Sequence, residues 1–219
     1  MIRRPQSRMS APSSADRQTR WAFFQQWLKN PLGMAAVSPS SRQLARQMIH
    51  ALPPASTRLI ELGGGTGAIT GQLLAHGIAP ADLMVFELNE AMHQTLKQRF
   101  PGIRLHLGNA ADVQRVARDS GFLDAGPADA VVSGLGILSM PRPLQRDIVG
   151  EAFACLRPDG RFVQFTYGPA SPVAREVLDE LQLSARRASF TWWNVPPATV
   201  YVYERRRDAP PSFDAKRPA

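Results

Sequence analysis

The sequence predicts an α/β domain built on a mostly parallel sheet, and three observations carry that expectation. The first is Arg58-Leu59-Ile60-Glu61-Leu62-Gly63-Gly64-Gly65-Thr66-Gly67, a short apolar strand that runs into four glycines. A helical pattern follows at once, with Ala68, Ile69, Leu73 and Leu74 as its apolar positions. The second is the alternation of short apolar runs with helical segments over the following hundred or so residues. The third is Glu87, an acid that closes the second apolar run twenty residues past Gly67.

These features already suggest chemistry. Glycines let the backbone take positive φ and let a ligand approach where a Cβ would collide. The helix that follows aims unpaired N–H groups at the same place. Strand, glycine turn and helix are the first half of a nucleotide-binding unit, and a carboxylate at Glu87 can accept both ribose hydroxyls of an adenosine cofactor.

Residues 1–16 are rich in Ser, Pro, Ala and Arg and are expected to form a disordered basic tail. Residues 17–50 are expected to hold N-terminal amphipathic or lid helices. On the first, ending at Pro31, the side chains of Trp21, Phe24 and Leu28 share one side, and Phe23 and Trp27 widen it to an arc of about 160°. Gln18, Gln25, Gln26 and Lys29 take the opposite side, while Arg17 and Arg20 must snorkel past the apolar arc. Such a helix either packs on the domain or lies in a membrane interface, where tryptophans suit the headgroup boundary and arginines suit anionic lipid. Ser40 is the expected N-cap of a second helix with Leu44, Ala45, Met48 and Ile49 inward.

The main domain is expected over 51–204. Its strands are Arg58–Leu62, Asp82–Glu87, Ile103–Leu107, Ala128–Ser133 and Arg161–Tyr167. Helices are expected at 68–76, 90–100, 141–156 and 173–183, with a turn at Arg157-Pro158-Asp159-Gly160. Ser189–Asn194 and Thr199–Tyr203 read as a terminal hairpin. Residues 205–219 are expected to be a second disordered basic tail.

Composition narrows the function. A hydrophobic content of 44% supports a packed core, and the apolar runs are far shorter than a bilayer span. The N-terminus has arginines but no apolar core, so no signal peptide is read there. The single cysteine, Cys155, forms no intrachain disulfide, fits a reducing cytosol and reads as packing. The four histidines lie apart, without metal-ligand spacing, so no metal is expected. The net charge of +8 is weighted to the ends: Arg3, Arg4 and Arg8 face only Asp16, and residues 205–219 hold five basic against two acidic side chains. Basic ends suit an anionic partner, or simply solubility.

The glycine stretch, with Glu61 ahead of it and a G-x-G-x-G spacing ending at Gly67, resembles the S-adenosylmethionine-dependent methyltransferases. The resemblance implies a Rossmann-like methyltransferase fold, a mostly parallel seven-stranded sheet with a C-terminal antiparallel hairpin, and S-adenosyl-L-methionine as cofactor. It implies Glu61, Gly63, Gly65 and Gly67 near the methionine moiety and Glu87 at the ribose. The loop Gly108-Asn109-Ala110 would take the adenine. Asn109 stands where the family often has an acid, and Asp112 is the alternative contact.

Narrower motifs resemble bacterial phospholipid N-methyltransferases: Phe24-x-x-Trp27-Leu28-x-x-Pro31, Ala36-Val37-x-Pro39-Ser40, Val132-Ser133-Gly134-Leu135, Val163-Gln164-Phe165-Thr166-Tyr167 and Trp193-Asn194-x-Pro196-Pro197-Ala198. This resemblance implies methylation of phosphatidylethanolamine and its partly methylated forms, toward phosphatidylcholine, by a peripheral protein on the cytoplasmic membrane face. Ornithine lipid is an alternative acceptor. Trp21, Phe23, Phe24, Trp27 and Leu28 would contact the membrane, and anionic lipids would be partners. Ser133 and Tyr167, at strand ends, are candidate amine positioners or proton acceptors. Arg175, Arg186 or Arg187 would meet a headgroup phosphate. An RNA adenine methyltransferase is disfavoured, because Ser133-Gly134-Leu135-Gly136 lacks the polar Asn and the stacking aromatic which that chemistry uses.

Overall fold

The computed structural model describes residues 39–168, 170–191 and 197–206. Its strands are β1 (Leu59–Leu62), β2 (Leu83–Glu87), β3 (Arg104–Leu107), β4 (Ala128–Ser133), β5 (Leu156–Thr166), β6 (Leu183–Thr191) and β7 (Ala198–Arg205). Its α-helices are α1 (Pro39–His50), α2 (Ala68–Ala75), α3 (Glu90–Arg99), α4 (Val113–Asp119), α5 (Arg142–Cys155) and α6 (Arg175–Glu180). The strands form one sheet in the order β3-β2-β1-β4-β5-β7-β6. Pairing is parallel from β3 to β5; β7 then runs antiparallel to both β5 and β6. The predicted fold class is therefore the observed one, terminal hairpin included.

Burial on both faces explains why the central strands read as continuous apolar runs. Successive residues alternate between two cores. Ile60, Leu62, Met84, Phe86 and Phe162 pack with Val113 and Val116 of α4 and Ile148 and Val149 of α5. Leu59, Leu83, Val85, Val132 and Val163 pack with Leu44 and Met48 of α1, Leu73 of α2 and Leu96 of α3. α1 thus contributes to the domain core. The first predicted helix, with Trp21, Phe23, Phe24, Trp27 and Leu28, lies outside the described residues, as does most of the loop joining β6 to β7.

Four expectations are corrected. A helix, α4, occupies a stretch for which none is predicted, and Val113, Val116 and Ala117 are its buried face. The helix expected over 173–183 ends at Glu180, because Gln182 takes φ 53 and Leu183 already pairs with Arg205 in the sheet. β6 accordingly starts at Leu183 instead of Ser189; its residues 184–188 are exposed at the sheet edge and carry no inward apolar signal. The turn predicted at 157–160 is an irregularity inside β5, where the register jumps from Ala128↔Leu156 to Ala130↔Arg161.

The start of the C-terminal basic tail also moves. Arg205 ends β7 and donates to the carbonyls of Phe153, Leu156, Arg157 and Pro158, with its guanidinium 5.3 Å from the Phe153 ring. Those carbonyls close α5 and open β5, so the cation caps a helix end that carries partial negative charge. Arg206 donates to the Leu183 carbonyl and pairs with Asp179. Arg205→Ala is expected to cost about 2–3 kcal/mol, read by urea unfolding, because several half-buried carbonyls lose their donor together.

Candidate active site

The site is assembled at the ends of β1, β2, β4 and β5, where parallel strands hand over to their loops. After Leu62 the chain turns sharply: Gly63 and Gly64 both donate to the Phe86 carbonyl, at 2.8 and 3.0 Å. Gly63 has φ 80, and a Cβ there would stand 2.8 Å from the Leu135 side chain. Across the turn, a Cβ on Gly134 would come within 2.9 Å of the Gly63 carbonyl oxygen. The loop after β4 therefore lies directly against the glycine turn. Gly67 has φ 78 and starts α2, and a Cβ on it would collide with the Phe100 ring. Beside Gly65, by contrast, the space is open apart from the turn's own backbone.

Two acids flank the turn and do different work. Glu87 ends β2 and is largely buried. Its Oε2 accepts the Gly65 N–H and its Oε1 accepts the Asn89 N–H, each at 2.7 Å. One carboxylate thus ties the glycine turn to the start of α3, where the Asn89 side chain caps the helix by accepting from Met92 N. Glu61 is fully buried, with the Thr70 hydroxyl donating to its Oε2 at 2.7 Å and no hydrogen-bond partner on Oε1. Burial pushes its carboxyl from the ordinary 4.5 up to about 8; the hydrogen bonds from Thr70 oppose the rise and the Glu87 charge adds to it.

This shift fixes the sign of a pH effect. Between about 4.5 and about 8 the folded chain holds the Glu61 proton and the unfolded chain does not. The stability from this group is fully present below 4.5 and is lost as pH rises through about 8. Glu61→Gln should remove a slope of at most roughly 1.4 kcal/mol per pH unit, seen as diverging wild-type and variant urea midpoints between pH 5 and 7.5. Parallel midpoints would mean that Glu61 is ionised in the folded protein.

Asn109 is exposed and its Oδ1 accepts Ala111 N at 3.0 Å, which fixes the loop after β3. Ala110 is buried and belongs to the same core as Phe86 and Val113. Asp112 pairs with Arg115 at 3.1 Å. Ser133 is fully buried, and its Oγ accepts the Leu135 N–H at 3.3 Å. Its position gives it a turn-holding contact with no solvent exposure. Tyr167 follows β5, is half-exposed, and sets its ring edge-on to Phe165 at 5.3 Å. Cys155 is buried and its thiol is pushed up to about 12 by burial, which suits packing. Among the described residues no three His, Cys, Asp or Glu side chains gather as a metal site would need.

Sequence reasoning missed two glutamines. Gln164 on β5 is fully buried; its Nε2 donates to the Leu135 and Phe165 carbonyls, both at 2.8 Å, and its Oε1 has no partner. Gln145 on α5 is buried as well; its Nε2 donates to the Ile137 and Met140 carbonyls and its Oε1 accepts Ala174 N. Together they hold the two loops that follow β4 and β5. A signal existed for each: Gln164 interrupts the apolar run Phe162-Val163-Gln164-Phe165, and Gln145 shares a helical stripe with the inward Val149 and Ala152.

A glycine turn between two acids, on a sheet of this order, defines a nucleotide-cofactor α/β enzyme with the Rossmann-like methyltransferase fold. Residues 59–160 match the family described as methyltransferase domain. The chain is 31% identical over 186 residues to an ornithine lipid N-methyltransferase of Singulisphaera acidiphila, covering 82% of this chain and 92% of that one. Its fold matches a TehB-like S-adenosylmethionine-dependent methyltransferase of Corynebacterium glutamicum with TM-score 0.55 at 18% identity, covering 89% of this chain and 100% of the other. It also matches the glycopeptide N-methyltransferase MtfA, solved with S-adenosylmethionine, with TM-score 0.58 at 13% identity, covering 78% and 96%.

The chain belongs to the S-adenosylmethionine-dependent methyltransferases. Its residues fit the cofactor: the open side of Gly65 leaves room, Glu87 is held in place with its carboxylate at the end of β2, and Glu61 keeps a buried oxygen without a donor.

Proposed function

We propose that the protein methylates the amine of a membrane aminolipid, with ornithine lipid and phosphatidylethanolamine as the two acceptors to compare. The observation that carries this reading is the similarity to a lipid N-methyltransferase over nearly the whole of that relative's length. Motifs at residues 132–135 and 163–167, which surround the proposed acceptor side, support it.

In this reading Gly63, Gly65, Gly67 and Glu61 hold the methionine part of the cofactor, Glu87 holds the ribose, and Asn109 and Ala110 line the adenine. The cofactor supplies a methyl already activated on a sulfonium. The chain's tasks are alignment and exclusion of water. An alkylammonium must first lose a proton, so the site has to hold a neutral amine. Tyr167, which follows β5 and is half-exposed, offers a hydroxyl oxygen that can accept a hydrogen bond from the amine nitrogen, the released proton passing to solvent before the amine is enclosed. Arg175, Arg186 or Arg187 would meet an anionic headgroup group, and the segment carrying Trp21, Phe23, Phe24, Trp27 and Leu28, which lies outside the described residues, would add membrane contact on the cytoplasmic face. Among the described residues no helix is long and apolar enough to cross a membrane.

The test is incubation with radiolabelled S-adenosylmethionine, mixed bacterial lipid vesicles and total RNA in one tube. Label in an aminolipid band supports the reading. Label in RNA, or in neither fraction while the cofactor still binds, contradicts it.

A further inference from the structure

All five exposed large apolar side chains among the described residues lie at one end of the sheet. Leu88 directly follows β2, Leu107 ends β3, Leu138 stands in the loop after β4, Tyr167 follows β5, and Phe190 is next to last in β6. Because β6 pairs antiparallel with β7 and β7 with β5, β6 runs in the direction of β5, so its end joins the same rim. Seven strands at about 4.8 Å spacing make this rim roughly 30 Å long. Its occupied positions reach from one sheet edge to the other. Scattered exposed apolar residues need no explanation, but apolar side chains confined to one rim mark a contact surface.

Two cations accompany the half of the rim beyond β4. The Arg187 guanidinium lies 5.4 Å from the Phe190 ring centroid. Arg175 starts α6 with its side chain 92% exposed, and its nearest acid is Asp179 at 3.9 Å. Gln145 ties the loop that carries Leu138 to the residue before Arg175, since it binds the carbonyls of Ile137 and Met140 and also the N–H of Ala174. The pattern is aromatic and aliphatic tips with arginines alongside, set around the loops that open onto the candidate site. That combination matches the interface of an anionic bilayer, where apolar tips enter the acyl boundary and arginines meet lipid phosphates.

We infer that the rim of strand ends, centred on Leu138, Tyr167 and Phe190, is a membrane-docking face. Docking there sets the opening of the site at headgroup depth, so that a lipid amine enters without leaving the bilayer. The inference rests on the aminolipid reading for its purpose, but not for its observation.

The experiment uses the full chain and vesicles of equimolar phosphatidylcholine and phosphatidylglycerol. The Leu138→Ser, Phe190→Ser double variant should bind these vesicles roughly tenfold more weakly. Wild-type binding should also weaken as salt rises. Cofactor affinity by calorimetry and methyl transfer to lipid in detergent micelles should stay at the wild-type level. Unchanged vesicle affinity in the double variant, with cofactor binding intact, overturns the docking face. If the double variant loses cofactor binding, the Phe190→Ser single variant decides by the same comparison. The two readings fail separately: micellar lipid methylation with unaltered vesicle binding removes only the docking face, and vesicle binding that the variants weaken, without transfer to any lipid, removes only the aminolipid reading.

Discussion

Glu87→Ala is expected to lower S-adenosylmethionine affinity by roughly 100-fold or more, measured by calorimetry. The substitution removes the acceptor proposed for the ribose hydroxyls. It also releases the Gly65 and Asn89 N–H groups, which the same carboxylate holds at 2.7 Å. Glu87→Gln should be nearly as damaging. Each carboxylate oxygen accepts a backbone N–H, and an amide would turn an NH2 group toward one of those donors. An affinity within a few fold of wild type in both variants would sink the assignment of the strand-end acid.

The second large effect is expected at Gln164. Its amide holds the Leu135 carbonyl, Ser133 Oγ accepts the Leu135 N–H, and the Leu135 side chain sits where a Cβ on Gly63 would go. Gln164 thus sets the loop after β4 against the glycine turn, and in the proposed function it is a positioning residue. Gln164→Met keeps the length and loses both donations. It should raise the KM for S-adenosylmethionine about tenfold or more and lower kcat as well, because a loop displaced by a fraction of an ångström misaligns the reactants. Gln145→Met is the control. It removes as many carbonyl contacts from the far end of the same loop, and should lower thermal stability while leaving the cofactor KM near wild type. Equal effects on KM in the two variants would reduce Gln164 to ordinary packing.

Much of the site was legible because its signals are local. The strand, the glycines and α2 are contiguous in sequence, and Glu87 lies a fixed helix-and-strand length away, so spacing alone brought them together. The same holds for the central strands, whose apolar runs reflect burial on both faces. What escaped depends on contacts distant in sequence. Gln164 reaches Leu135 across 29 positions, and Gln145 reaches Ala174 across another 29. Arg205 looked like part of a basic tail because nothing near it in sequence reveals that it binds the carbonyls between α5 and β5, 47 to 52 positions earlier. β6 was started too late for a related reason: an edge strand with exposed residues 184–188 is defined by its pairing with β7, not by alternation. Leu138 and Phe190 are unremarkable apolar residues until the sheet order places them on the same rim as Tyr167.

In the proposed function a cofactor held at the turn between Glu61 and Glu87 delivers its methyl group to a lipid amine at the ends of β4 and β5. The most direct measurement combines the protein with S-adenosylmethionine carrying a deuterated methyl group and vesicles containing one aminolipid at a time. Lipid mass spectrometry then locates the label. Deuterated methyl is expected on the headgroup nitrogen of ornithine lipid or phosphatidylethanolamine, and far less of it, at cofactor concentrations near the wild-type Kd, when Glu87 is replaced by alanine. Deuterium on no lipid while wild-type protein binds the cofactor, or label undiminished in the Glu87 variant, would contradict it.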